Sequence, residues 1–309
     1  MKCAIVWSAV AISVALFGLA PAWAQPVSYA ETVSAGVPLK VITINLNNSN
    51  VKITGLLTKY GSGHSEPFNQ MLKRTKPTIA ITGTFFGIGS RIPVGDIVID
   101  GRLAHFGGLG TALCITDNNE VEFIRPKKYT HQDWSRFDFV LCCGPRLVTD
   151  GIAYVEPWTE GFKDTHMLNR NGRLAIGITK KNQLYLVATR KPVYLSKLAK
   201  AMRALGVVNA INLDAGSSMG LHYKGKTLIK PSRWLTNLIL VYDNKDRYYE
   251  VKDHLMPIAM RADLSKTIAK KSDTAPVALP TPEGSELNLS LPASEGSKIT
   301  APAPIRDQR

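Results

Sequence analysis

From about Val37 onward the apolar residues of this chain come in short runs cut by Gly, Asn and Asp. That pattern predicts strands and hairpins rather than long helices. The runs place strands over residues 37–46, 51–57, 78–81, 97–100 and 102–105, and the Asp100-Gly101 pair between the last two marks a two-residue hairpin turn. Further hairpins are predicted from 111–115 with 120–124 and from 173–178 with 183–189, joined by the polar turns 116–119 and 180–182. Two stretches have helical spacing instead. One covers 66–74; the other, 196–205, puts Leu198, Ala199, Met202 and Leu205 on one face, with Ser196 as N-cap and Gly206 just past the end. It runs directly into the apolar strand 207–213, and a Lys224-Gly225 turn then predicts a hairpin over 221–229. Together these elements predict an α+β fold: a strand-rich mixed sheet core with a few packed helices, in a single domain.

The two ends depart from this pattern. Lys2, an apolar stretch from Ala4 to Ala20 and the small-x-small site Ala22-Trp23-Ala24 have the form of an export signal over residues 1–24. The mature chain is therefore expected to begin near Gln25 and to be exported, periplasmic or secreted. The apolar stretch falls short of the ~20 residues a spanning helix needs, so no membrane insertion is expected once the signal is removed. Residues 25–36 read as a short N-terminal extension, 37–245 as the domain and 246–265 as a C-terminal extension. Residues 266–309, rich in Pro, Ser, Ala and Thr without an aromatic, read as a flexible tail, because such a segment cannot bury enough apolar surface to offset its ordering entropy.

Charge narrows the partners. The 38 Lys and Arg outnumber the 24 Asp and Glu, giving a formal charge of +14 whose field favours anionic partners. No zinc-finger spacing and no basic run interleaved with aromatics is present, so nucleic acid is not expected. Beyond the signal remain Cys114, Cys142 and Cys143. A bridge from Cys114 to either of the other two and three buried thiols are both compatible with the sequence, and neighbours on a strand point to opposite faces. No His or Cys pair has ligand spacing, so a metal site is not indicated and no cofactor is expected. His105, His166 and His222 are lone histidines, and Asp96 beside a hairpin reads as structural.

The segment from Val207 to Gly220 carries the most chemistry. An apolar strand ends in Asn212, Leu213 and Asp214 and enters the small-residue turn Ala215-Gly216-Ser217-Ser218, which lifts an amide and a carboxylate to the rim of a sheet. Gly216 allows a ligand to approach the backbone closely. This segment resembles the Asn-Ala-Ile-Asn-Leu-Asp-Gly-Gly-Gly-Ser motif of the phosphodiester glycosidases. Thr82-Gly83-Thr84-Phe85-Phe86, Pro93-Val94-Gly95, Val98-Ile99-Asp100-Gly101, Gly144-Pro145-Arg146-Leu147, Arg173-Leu174-Ala175-Ile176-Gly177 and Arg233-Trp234-Leu235-Thr236-Asn237 are similar to further segments of that family, in its order. The resemblance spans roughly residues 37–243. Thr82 stands where the family has Asn, Thr84 where it has Gly, and Ala215 replaces the first Gly after the aspartate; the added methyl groups narrow the space for a ligand.

The resemblance implies hydrolysis of a sugar joined through its anomeric carbon to a phosphodiester. Cleaving that bond passes through an oxocarbenium-like transition state that needs a carboxylate, the role expected of Asp214. Arg173, then Arg233, are the guanidinium groups expected to meet the departing phosphate charge. Asn212, Gly216, Ser218, Gly83 and Thr84 are expected to position sugar hydroxyls or phosphate oxygens. The implied partner is a carbohydrate phosphodiester or an anionic glycan of an envelope or exopolysaccharide. A non-catalytic module binding anionic glycans is the first alternative. Gly216-Ser217-Ser218-Met219-Gly220 also fits a Gly-x-Ser-x-Gly nucleophile elbow, which raises a serine hydrolase using Ser218 as a second; that elbow requires a helix where the sequence predicts a hairpin.

Overall fold

The computed structural model describes residues 25–261. The strands, in chain order, are β1 (Val27–Ser34), β2 (Val37–Asn45), β3 (Lys52–Leu57), β4 (Ile79–Thr82), β5 (Ile97–Ile99), β6 (Arg102–His105), β7 (Thr111–Ile115) and β8 (Val121–Ile124). They continue as β9 (Phe139–Cys143), β10 (Arg146–Thr149), β11 (Ile152–Ala153), β12 (Asn171–Thr179), β13 (Gln183–Val193), β14 (Val207–Leu213), β15 (Leu221–Tyr223), β16 (Lys226–Ile229) and β17 (Asn237–Tyr242). Helices α1 (Phe68–Thr75), α2 (Leu195–Ala204) and α3 (Lys245–Tyr249) complete the regular structure, with short 3-10 turns between.

Three sheets form, in the orders β1-β2-β13-β12-β14-β10-β11, β16-β15-β4-β17-β3 and β6-β5-β9-β7-β8. Every strand pairing within them is antiparallel, so the expected mixed sheet is instead three antiparallel ones. The α+β class holds. β13 and β14 both pair with β12 and thus run parallel to each other with one strand between them, and α2 makes that crossing.

Alternation along the strands sets the layers. In the seven-stranded sheet Leu174, Ile176, Ile211 and Leu213 turn into the central core, where they meet Ile53, Ile81 and Leu240 of the second sheet and Leu113 and Leu141 of the third. Ala175, Val187 and Ala210 turn the other way, against Leu198 and Met202 of α2. β17 is buried along its whole length between β4 and β3. At about 1.5–3 kcal/mol for each buried Leu, Ile or Val, that strand is a rigid support for the residues at its start.

Most predicted elements are found within a residue or two of their expected bounds. Asp100 and Gly101 both take positive φ, +52° and +69°, as a tight hairpin turn requires. α2 is capped by Tyr194 rather than Ser196, without a side-chain bond. The larger differences lie at the margins. The stretch expected to be an N-terminal extension contains β1, which pairs with β2 through eight residues; residues 30–33 are exposed on both faces, so no alternation marks it. Tyr248, Val251, Leu255 and Met256, expected in a C-terminal extension, are buried in the central core. The export signal and the tail from 266 lie outside the described residues. Among the described residues no helix is long and apolar enough to cross a membrane.

Candidate functional site

The ends of four strands from two sheets meet at one place. β14 and β12 lie side by side with Leu213 opposite Leu174, and β17 and β4 with Leu238 opposite Thr82. One hydrogen bond joins the two sheets there: the Asp214 amide donates to the Gly83 carbonyl at 2.9 Å. A cavity of about 580 Å³ opens over this junction, lined among others by Phe85, Phe86, Phe162, Arg173, Asp214 and Arg233.

Asp214 is buried, and its Oδ2 accepts no hydrogen bond. Arg233 Nη2 stands 3.6 Å from that oxygen, while Arg233 Nε donates to Ser218 Oγ at 2.6 Å and the guanidinium lies over the Phe86 ring at 4.7 Å. Burial pushes the Asp214 carboxyl up to about 6, against the opposing pull of the Ser218 hydroxyl and the Arg233 charge. The site therefore holds a carboxylate that ionises just below neutral pH, with one buried oxygen that accepts no hydrogen bond and faces Arg233.

Arg173, at the start of β12, also lines the cavity. It is 5% exposed, has no carboxylate partner among the described residues, and its ionisation is brought down to about 10 by burial alone. Nε donates to the Val193 carbonyl at 3.1 Å, and Nη2 donates to the carbonyls of Met167 (2.9 Å) and Asn169. Arg173 thus fastens residues 167–169 and the end of β13 while placing a positive charge in the cavity wall.

The remaining expected residues divide. Gly216 lines the cavity at φ +59°, where a Cβ would sit 3.0 Å from Asn171 Nδ2. Asn212, Gly83, Thr84 and Ser218 lie behind the wall and hold it. Asn212 Nδ2 donates to the Gly144 carbonyl at 3.3 Å. Gly83 and Thr84 are clamped by Asn237, whose Oδ1 accepts from the Thr84 amide at 2.7 Å and whose Nδ2 donates to the Thr84 carbonyl at 3.0 Å. A Cβ on Gly83 would sit 2.2 Å from Asn237 Oδ1, so that glycine answers to the clamp rather than to a ligand. Thr82 Oγ1 donates to the Ser218 carbonyl at 2.7 Å and accepts from the Gly220 amide at 3.0 Å, tying β4 to the turn after Asp214.

A nucleophile elbow at Ser218 does not form. Ser218 is fully buried, its hydroxyl is engaged by Arg233 and Asp214, and the hairpin β15–β16 follows where a helix would be required. Asp243 and His254, the acid and the histidine that follow Ser218 in the chain order such a hydrolase needs, are engaged elsewhere, with Thr78 and Arg261. Asp96 is structural: Oδ1 accepts from the Gly107 and Gly108 amides and Oδ2 from the Trp134 indole. Cys114, Cys142 and Cys143 are free, buried thiols, with Cys142 and Cys143 in different core clusters as neighbours on a strand must be. No group of three or more His, Cys, Asp or Glu able to hold a metal ion occurs among the described residues.

The sequence pattern does not mark the aromatic wall as a site feature. Phe85 and Phe162 meet edge to face at 5.9 Å across the cavity lining. Phe85 falls in a segment singled out above, but Phe162 lies in irregular chain between two 3-10 turns and carries no pattern.

Comparison with known proteins adds three findings. A family model described as phosphodiester glycosidase matches residues 75–242. No curated protein matches the sequence significantly. Among solved structures, a hypothetical protein from Synechocystis superposes with a TM-score of 0.61 at 16% identity, over 70% of this chain and 62% of that one; this chain therefore spans less than two thirds of that relative's length. The catalytic domain of zebrafish N-acetylglucosamine-1-phosphodiester alpha-N-acetylglucosaminidase superposes with a TM-score of 0.57 at 18% identity, over 70% of this chain and 82% of that one. At these identities the likeness is one of fold.

Proposed function

The chain belongs to the phosphodiester glycosidase family, and from that premise we propose that it is an exported hydrolase releasing a sugar from a sugar-1-phosphodiester, with Asp214 as its working carboxylate. The observation that carries this reading is the pairing at the junction of the sheets. A buried carboxylate, one oxygen of which accepts no hydrogen bond, stands 3.6 Å from a guanidinium that reaches into the same cavity.

In the reaction the anomeric C–O bond breaks and its electron pair leaves with the phosphate oxygen. A water oxygen bonds to the anomeric carbon and gives up a proton, so the products are the free sugar and a phosphate monoester. Asp214, ionised above about pH 6, either stabilises the oxocarbenium-like centre or takes the proton from water. A phosphate monoester is a stable anion near neutral pH, so its departure needs no protonation by a second acid. Arg233 meets the charge on the leaving oxygens, and the buried Arg173 adds a positive field from the cavity wall. Phe85, Phe86 and Phe162 supply the apolar surface against which a sugar ring packs, and the partner is a glycan phosphodiester.

The test is sugar release from a panel of sugar-1-phosphodiesters, N-acetylglucosamine-1-phosphodiesters first, by the protein and by Asp214→Asn. Release that the variant lacks supports the reading. Binding without release by the unmodified protein would replace it with the glycan-binding module.

A further inference from the structure

Away from Asp214, a cavity of about 420 Å³ opens between the β1–β2 turn at Gly36, the start of β12, the end of β13 and the first turns of α2. Arg170, Lys191, Lys197 and Lys200 line it, and no Asp or Glu does. All four cations are exposed, and none has a carboxylate partner among the described residues. They come from three separate stretches of chain, so the fold and not a local run of basic residues gathers them. Arg170 is held in place, its Nε donating to the Pro192 carbonyl at 3.3 Å. Lys197 and Lys200 stand one turn apart on α2, which has no acidic residue in its first turn. Like charges at that spacing repel, and cations near a helix start oppose its dipole. Such an arrangement opposes folding, and a bound anion offsets it. The carbonyl of Val193, which lines this cavity, accepts from Nε of Arg173, which lines the other, so the two cavities are neighbours across the start of β12.

We propose that this basic cavity binds the charged groups of an acidic glycan strand, with a sugar ring of that strand against Tyr194. Its volume falls within the ~300–1,000 Å³ of ligand sites. Three lysines supply point charges and Arg170 a planar fork, a set that suits phosphate, sulfate or carboxylate groups spaced along a polymer. Tyr194, at the start of α2, is 54% exposed and offers the apolar ring face and hydroxyl that a sugar needs. The lining contains no exposed Leu, Ile, Phe or Trp, the side chains that anchor a protein in a bilayer, so a glycan fits this surface better than an anionic membrane does. The site stands on its own charge and shape and does not depend on the hydrolase reading. Where both hold, it keeps a polymer next to the Asp214 cavity, so its effect on turnover falls on long substrates and spares small ones.

Dextran sulfate, neutral dextran, polyphosphate and phosphatidylglycerol vesicles would be titrated calorimetrically into the unmodified protein and three variants. These are Tyr194→Ala, the pair Lys197→Glu with Lys200→Glu, and a control of equal charge, Lys180→Glu with Lys181→Glu, at the far end of the β12–β13 hairpin. Dextran sulfate is expected to bind and neutral dextran not to. The α2 pair should weaken dextran sulfate about tenfold or more and the control pair about twofold or less. Tyr194→Ala should weaken dextran sulfate about threefold and leave polyphosphate unchanged. Glu near a helix start is favoured by the dipole, so the α2 pair keeps its fold, with a thermal midpoint equal to the parent's or above it. Equal losses from the two pairs, no binding of dextran sulfate, a Tyr194→Ala effect as large on polyphosphate, or vesicles bound as tightly as dextran sulfate would each overturn the proposal. Binding by a protein that releases no sugar from any phosphodiester would overturn the hydrolase reading alone, and release without binding the glycan site alone.

Discussion

Asp214 is held as an anion at neutral pH in a place that resists the charge, which makes Asp214→Asn a test of the site's physics independent of any substrate. Burial moves the carboxyl from an ordinary 3.8 to about 6, a difference worth about 3 kcal/mol at ~1.4 kcal/mol per tenfold. The attraction of Arg233 and the Ser218 hydroxyl is already contained in that value, so it is the net burden. Between pH 3.8 and about 6 the folded chain holds a proton that the unfolded chain has released. Stability therefore falls as pH rises through this window, and the whole penalty is present above it. Asn has the shape of the protonated acid and no charge to bury. The variant should gain up to about 3 kcal/mol at pH 7, raising the thermal midpoint by up to about 10 °C for a domain of this size. The gain should vanish by about pH 3.5. Urea unfolding followed by tryptophan fluorescence at several pH values between these limits measures it, alongside sugar release, which the variant should lack. A variant less stable than the parent at pH 7, or one whose gain does not change with pH, would refute the account of Asp214 as a buried, costly charge.

Four further outcomes are expected. kcat/KM should fall about tenfold per pH unit below about 6 and level off above it, because Asp214 acts ionised; a flat acid limb in the pH profile would exclude it. Arg173→Ala should lower the urea unfolding free energy by about 3 kcal/mol or more, since the Val193, Met167 and Asn169 carbonyls lose their donor in a buried setting. Gly83→Ala should cost about 2–3 kcal/mol by forcing Asn237 off Thr84, again read by urea unfolding, and a neutral result would mean that the clamp is not tight. Ser218→Ala should retain measurable turnover, and the parent should resist fluorophosphonate labelling, because Ser218 orients Arg233 and Asp214 and attacks nothing.

Much of the fold was legible in the sequence because strand alternation and turn chemistry are local. Asp100-Gly101 and Lys224-Gly225 announce their hairpins within two residues, and 207–213 is apolar at all positions but Asn209 and Asn212 because both faces of β14 are covered, by the central core and by α2. The same locality placed Asp214 at a strand end and ruled for a hairpin after Ser218. Periodicity reports that a face is buried but not what buries it. Tertiary structure alone decided that β1, exposed along its middle, forms the edge of the largest sheet, and that Tyr248 and Leu255 fill the core from beyond the last strand. It decided, too, which expected residues reach the cavity. Asp214, Arg173, Gly216 and Arg233 do, whereas Asn212, Gly83, Thr84 and Ser218 stand behind them, because the ends of β4, β12, β14 and β17 are brought together by pairings and one inter-sheet hydrogen bond between residues far apart in the chain.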